Sequence, residues 1–202
     1  MSRQTEFFFD VGSPASYLAW TQLPALCRDA GAELVLRPML LGGVFQATGN
    51  ASPAAVPAKG AYMRDDLARH ARRYRVPFRD NPFFPIVTLQ LMRTAAGVQL
   101  RMPARLDDYL RAVFGALWVD ALDLNQPAQV AAVLQAAGFD PAQLLALAAE
   151  PEVKLQLRAT TDEAVARGVF GAPTMFVGTQ IFFGQDRLDF VREALEAEPA
   201  GA

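Results

Sequence analysis

Cysteine is nearly missing from this chain of 202 residues: Cys27 stands alone, so no intrachain disulfide forms and nothing calls for an oxidising compartment. Histidine is as scarce. With His70 the sole example, no metal cluster is expected, and any histidine-based triad would have to use that one residue. No window approaches the roughly 20 apolar residues of a membrane span. An excess of one charge is absent too, since 19 basic and 21 acidic residues leave a net charge of −2, without the electrostatic footprint of a nucleic-acid binder. The densest basic stretch, Arg69-His70-Ala71-Arg72-Arg73, falls in a helical pattern and reads as a solvated face. The first six residues run straight into a short aromatic segment, with no apolar leader core. The expectation is a cytoplasmic protein with neither a nucleic-acid nor a membrane partner.

What is present suits a buried core: 52% of the residues are hydrophobic and 20% charged, at a length that makes one large domain or two small ones. Residues 6–11, with Phe7-Phe8-Phe9, predict a buried strand that ends at Gly12. A helix is expected next, because Ser13 is a good N-cap and Pro14 takes the favoured first helical position. It runs past Pro24 to a C-cap at Gly31, and residues 32–39 form a second strand, parallel to the first because a helix joins them. Residues 41–57 read as loop, given Gly42-Gly43, Gly49-Asn50 and two prolines.

Helices are predicted over 59–74, 88–96, 105–118, 127–137, 141–149 and 151–167, several with proline in the first turn. Two short apolar runs, 174–177 and 180–183, flank Gly178-Thr179 as a strand-turn-strand, and an amphipathic helix over 187–196 follows, then a small tail, 199–202. Pro173 begins the first of those strands. Having no N–H to donate, it implies an unpaired backbone position and is compatible with a cis bond.

A β-α-β unit and a β-β-α unit, with a proline at the start of the third strand, look like a thioredoxin fold carrying a large helical insertion. The sequence resembles the 2-hydroxychromene-2-carboxylate isomerases, which group with kappa-class glutathione transferases and DsbA-like thioredoxin-fold proteins. The resemblance rests on several segments in order. Phe7-Phe8-Phe9-Asp10 precedes Ser13-Pro14-Ala15-Ser16-Tyr17-Leu18-Ala19; then come Gly42-Gly43-Val44-Phe45 with Gly49-Asn50, Lys59 with Tyr62, and Asn81-Pro82-Phe83-Phe84-Pro85 with Thr88-Leu89-Gln90-Leu91-Met92-Arg93. The last is Gly168 through Thr174 and on to Phe183-Gly184-Gln185-Asp186-Arg187. It implies an α/β thioredoxin-like domain made of residues 1–41 and 151–202, with a helical insertion domain over 42–150. One departure stands out: the family commonly has an asparagine before the Thr-Leu pair, where this chain has Val87.

The resemblance also implies a chemistry. Ser13 occupies the place of the first cysteine in redox relatives, and with no thiol at either end of Ser13-Pro14-Ala15-Ser16, disulfide exchange there is excluded. By resemblance the Ser13 hydroxyl holds the sulfur of glutathione, the expected cofactor. The Ala172 backbone before a cis Pro173 pairs with its cysteinyl part, Gln185 and Asp186 take the γ-glutamyl group, and Asn50 and Lys59 also face the tripeptide, with Lys59 near a carboxylate. Asn81 and Arg93 are candidates for an acidic substrate, and Phe45, Phe83, Phe84 and Trp118 for an aromatic pocket. Each also fits a plain structural role: Ser13, Gln185 and Asp186 as helix caps, Asn50 as a turn residue, Lys59 as a surface charge, Arg93 as an ion-pair partner. The implied activity is glutathione-dependent cis-trans isomerisation of a small aromatic enone-carboxylate, by a homodimer. The alternatives are a kappa-like transferase conjugating glutathione to small electrophiles and a non-catalytic thioredoxin-like binding module.

Overall fold

A computed structural model describes residues 3–197; the tail expected over 199–202 and the first two residues lie outside them. Four strands form one sheet in the order β2-β1-β3-β4. Strand β1, Gln4–Phe9, pairs in parallel with β2, Glu33–Pro38, and antiparallel with β3, Thr174–Val177, which pairs antiparallel with β4, Gln180–Phe183. The two ends of the chain therefore meet at β1. Phe7, Phe8 and Phe9 are all buried, because helices cover both faces of this central strand and no polar alternation is needed.

Helix α1, Pro14–Asp29, starts at Ser13 as expected, and the chain leaves it through Gly31 at φ +63°. The residues expected to be loop after β2 instead contain helix α2, Leu41–Thr48, followed by a 3-10 turn at Pro53–Ala55. Two adjacent glycines disfavour a helix by about 1 kcal/mol each, and tertiary contacts outweigh that here. Leu41 N–H donates to the Asp10 carboxylate at the helix start. Gly43 lies so close to a later helix that a Cβ there would stand 3.2 Å from Thr161 Cγ2, and Val44 is fully buried.

The remaining helices are α3, Pro57–Tyr74; α4, Leu89–Arg101; α5, Leu106–Trp118; α6, Pro127–Ala136; α7, Pro141–Ala149; α8, Pro151–Ala166; and α9, Leu188–Ala197, entered through a 3-10 turn at Gln185–Arg187. Helix α4 continues beyond the expected end at residue 96, through Gly97, where a Cβ would meet Leu147 Cγ of α7 at 2.7 Å. That glycine serves close helix packing. Among the described residues no single helix is long and apolar enough to cross a membrane. One apolar cluster joins Phe7 and Phe9 to α1, α4, α5 and α9, and Cys27 is buried in it.

The other sheet face holds a smaller cluster of Phe8, Met39, Val44, Ala164, Val169 and Phe176. A ring of charges covers it. Glu6 accepts from Arg37 at 2.9 Å and from Arg167 at 2.6 Å, and Glu163 pairs with both arginines, Arg167 at 3.1 Å. The Arg167 guanidinium also sits 3.9 Å from the Phe176 ring centroid, where cation and π-face attract. The hydrogen bond from Arg167 holds the Glu6 carboxyl below its ordinary 4.5. A depressed carboxyl contributes stability that is present above the ordinary value and is lost as pH falls through the folded value. Glu6→Gln is therefore expected to cost about 1–2 kcal/mol at pH 7, and wild type and variant should converge in urea midpoint as pH falls below 4.5 through the depressed folded value. A gap independent of pH would refute it.

Candidate active site

The turn between β1 and α1 is built on a buried carboxylate. Asp10 Oδ1 accepts from Gly12 N–H at 2.9 Å, while Oδ2 accepts from Leu41 N–H at 2.9 Å and from the Thr88 hydroxyl at 3.0 Å. One side chain thus ties together the turn, the start of α2 and the approach to α4. Burial pushes its pKa above the ordinary 3.8, against the opposing pull of the Leu41, Gly12 and Thr88 hydrogen bonds. Gly12 is required by space: a Cβ would stand 2.6 Å from Thr88 Cγ2.

Ser13 follows at the N-cap of α1, with φ −93° and ψ 114°. Its hydroxyl oxygen accepts from Ser16 N–H at 3.1 Å and its hydrogen points to Ala172 O, also 3.1 Å away. The capping role read from the sequence is real and occupies only one lone pair; the single proton rests on Ala172 O and reaches a ligand in the cavity only by turning away from that carbonyl. Ser16 is fully buried and does not line the cavity, so the position that carries a second thiol in redox proteins takes no part here.

The peptide between Ala172 and Pro173 is cis, as expected. Ala172 is only half-buried, its carbonyl accepts from Ser13, and its N–H has no acceptor among the described residues. Gly171 presses on β4, where a Cβ would meet the Phe183 ring at 2.7 Å. Gln185 is buried and its carbonyl accepts from Tyr74 hydroxyl at 2.5 Å, which pins the start of α9 to α3.

These groups face one cavity of about 600 Å³, within the usual range of small-molecule sites. Its walls bring together Ser13, Asn50, Asn81, Ala172, Pro173, Gln185 and Asp186, seven of the nine candidates, although 159 residues separate Ser13 from Ala172. Asn50 bridges the walls, donating from Nδ2 to Phe170 O at 2.8 Å and accepting Ala51 N–H at 2.8 Å. Phe45, Phe84 and Trp118 line the cavity as expected, joined by Phe170 and Phe183, whereas Phe83 does not.

Lys59 is exposed and outside the lining, one residue before Gly60, which belongs to it. Arg93 lies elsewhere, in a separate cleft of about 770 Å³ between α2, α4 and α8. Asn81 lines the cavity with its amide engaged: Nδ2 donates to Leu117 O at 3.0 Å and Leu122 O at 2.9 Å, and Oδ1 accepts from Phe83 N–H at 2.9 Å. Val87, at the position of the family asparagine, is 75% exposed and does not line the cavity. Sequence reasoning missed Asp10, which reads as a strand end, and Arg64 and Asp80, two cavity-lining charges that carry no motif. The only available signal for Asp10 was a carboxylate at the end of an all-phenylalanine run.

Three comparisons bear on this arrangement. The model of the DSBA-like thioredoxin domain matches residues 4–196. The 2-hydroxychromene-2-carboxylate isomerase of Sphingobium xenophagum is 32% identical over 96% of this chain and 99% of its own, and the human glutathione S-transferase kappa 1 is 31% identical over 96% and 92%. The solved structure of a 2-hydroxychromene-2-carboxylate isomerase superposes with a TM-score of 0.81 at 28% identity, covering 95% of this chain and 94% of the other.

Proposed function

The chain belongs to the DSBA-like thioredoxin domain family, and within that family we propose that it is a glutathione-dependent isomerase interconverting 2-hydroxychromene-2-carboxylate and trans-o-hydroxybenzylidenepyruvate or a closely related aromatic enone-carboxylate. The observation that carries this reading is the Ser13 hydroxyl at the N-terminus of α1, 3.1 Å from the carbonyl of Ala172, in a segment with no thiol of its own. The residues present fit a tripeptide thiol. The unpaired N–H of Ala172 suits strand-like pairing with a peptide backbone, and Asp186 at the entry to α9 suits an ammonium group.

Bound glutathione supplies a nucleophilic thiolate that adds reversibly to the conjugated enone and so frees a double bond for rotation. What the protein must do is favour that thiolate, orient it and keep water away. Swinging its hydrogen from Ala172 O toward the cavity, the Ser13 hydroxyl donates a charge-assisted hydrogen bond, worth about 1.5–3 kcal/mol. The helix N-terminus behind it adds about 0.3–1 kcal/mol, up to about 2 when partly buried. At 1.36 kcal/mol per pKa unit, the two together move a thiol of pKa near 8.5 to mostly ionised at neutral pH, which the dipole alone does not. Phe45, Phe84, Phe170, Phe183 and Trp118 give the cavity an apolar lining for the ring.

The test is the fate of mass. With trans-o-hydroxybenzylidenepyruvate and substoichiometric glutathione, the product should keep the substrate's mass and glutathione should be undiminished after many turnovers. Accumulation of an adduct would instead favour the conjugating reading, which the 31% identity to human kappa 1 keeps in play. No heat of binding on titrating glutathione would count against both.

A further inference from the structure

An aromatic carboxylate needs a ring platform and a cation, and the cationic part is not supplied by the residues that sequence reasoning offered. Arg93 faces the separate cleft, Asn81 has spent its amide on backbone groups, and Lys59 is outside the lining. Among the described residues one cationic side chain lines the cavity, Arg64 of α3. Its Nε stands 3.9 Å from Asp80 Oδ2, with side chains 56% and 54% exposed. Exposed pairs at that distance hold weakly. The two Nη groups, the fork that meets a carboxylate with parallel hydrogen bonds, have no protein acceptor among the described residues.

The ring platform adjoins it. Arg79 N–H donates to Trp118 O at 2.7 Å and Phe84 N–H to Asn81 O at 3.2 Å, so the segment carrying Asp80 is pinned to the end of α5 and turns back on itself. That turn sets the Phe84 ring centroid 6.3 Å from that of Trp118. Both rings line the cavity, together with Met63 and Leu67 from the face of α3 that carries Arg64. Of the lining carboxylates only Asp80 reaches Arg64: Asp66 lies 3.7 Å from Arg69, and Asp186 lies 2.5 Å from the half-exposed Arg187, which can yield it to an incoming ammonium. Arg64 is the charge left for an incoming anion.

We propose that Arg64 is the specificity-determining residue for the substrate carboxylate, with Phe84 and Trp118 against the ring and Asp80 a weak partner that the substrate carboxylate outcompetes. This rests on the isomerase reading. A carboxylate of glutathione itself shares the same chemistry, and the assay separates the two sources.

Wild type, Arg64→Gln, Arg64→Lys and Ser13→Ala are compared on trans-o-hydroxybenzylidenepyruvate and on its neutral methyl ester, with glutathione varied independently. Arg64→Gln should raise KM for the carboxylate ~10- to 100-fold, the loss of a charge-assisted pair. Its kcat should change little, and KM for the ester and for glutathione should stay at the wild-type values. Arg64→Lys should recover part of the loss. An unchanged KM for the carboxylate, a parallel rise for the ester, or a rise confined to glutathione overturns the assignment. Loss of activity in Ser13→Ala beside a normal Arg64→Gln sinks the Arg64 proposal alone. No glutathione-dependent turnover by wild type, or full turnover by Ser13→Ala, sinks the isomerase reading and this proposal with it.

Discussion

Ser13→Ala and Ser13→Gly should both lose turnover by about 10- to 150-fold, the worth of one hydrogen bond to a charged sulfur, while differing in stability. The two substitutions remove the same hydroxyl. As an N-cap, however, alanine costs about 0.5–2 kcal/mol and glycine only a few tenths. Because the Ser13 oxygen accepts from Ser16 N–H at 3.1 Å, the capping loss is real and must be separated from the chemistry. Equal kinetic loss with unequal urea midpoints assigns the hydroxyl to thiolate stabilisation. Kinetic loss that tracks the stability loss would mean that Ser13 acts only by holding α1 in place. A second readout is the pH profile: without the donor the bound thiol titrates higher, so the rising limb of activity should move up by about one to two units. A profile that stays in place counts against the assignment.

Asp10→Ala is expected to have the largest effect on stability, about 3–5 kcal/mol, the cost of leaving three buried neutral donors without their acceptor at about 1–3 kcal/mol each. The N–H groups of Gly12 and Leu41 and the hydroxyl of Thr88 would all lose their acceptor, in a place from which water is excluded. Asp10→Asn should cost less, about 1–3 kcal/mol, because its carbonyl oxygen still serves one side and its amide meets donors on the other. Equilibrium urea unfolding at pH 7 measures both, and Asp10→Ala within about 0.5 kcal/mol of wild type would refute the argument. The pH dependence has a definite sign. Burial raises the Asp10 pKa above 3.8, so the folded protein holds this proton more tightly than the unfolded chain. Stability from this residue therefore falls as pH rises from 3.8 through the folded value, opposite to the contribution of Glu6. Subtracting the Asp10→Asn curve from the wild-type curve isolates it.

The two variants probe different layers of one device. Asp10 shapes the turn, the turn places Ser13, and Ser13 meets a backbone carbonyl delivered by the far end of the chain. Much of this was legible in the sequence because its causes are local. Serine before proline reads as a helix start here, three phenylalanines in a row read as a buried strand, and prolines in first turns mark three of the middle helices, α6, α7 and α8, whereas Pro57, read as loop, in fact opens α3. Helix α2 was not legible, because two glycines argue against a helix when the Asp10 carboxylate and α8 are not in view.

By itself the sequence determined the order of the strands and of every helix but α2, the cap at Ser13, the proline before β3 and the absence of any thiol over residues 13–16, which rules out disulfide exchange there whatever the fold. Only the tertiary structure decided which charges share a cavity. Arg93 stands in a family-like segment and faces another cleft; Asn81 reaches the cavity with its amide already engaged; Arg64, in no motif, faces the site. The reason is that spacing along a chain reports the face of a single element, whereas a site is made by faces of several elements meeting. Whether a polar group there is still free depends on partners dozens of residues away.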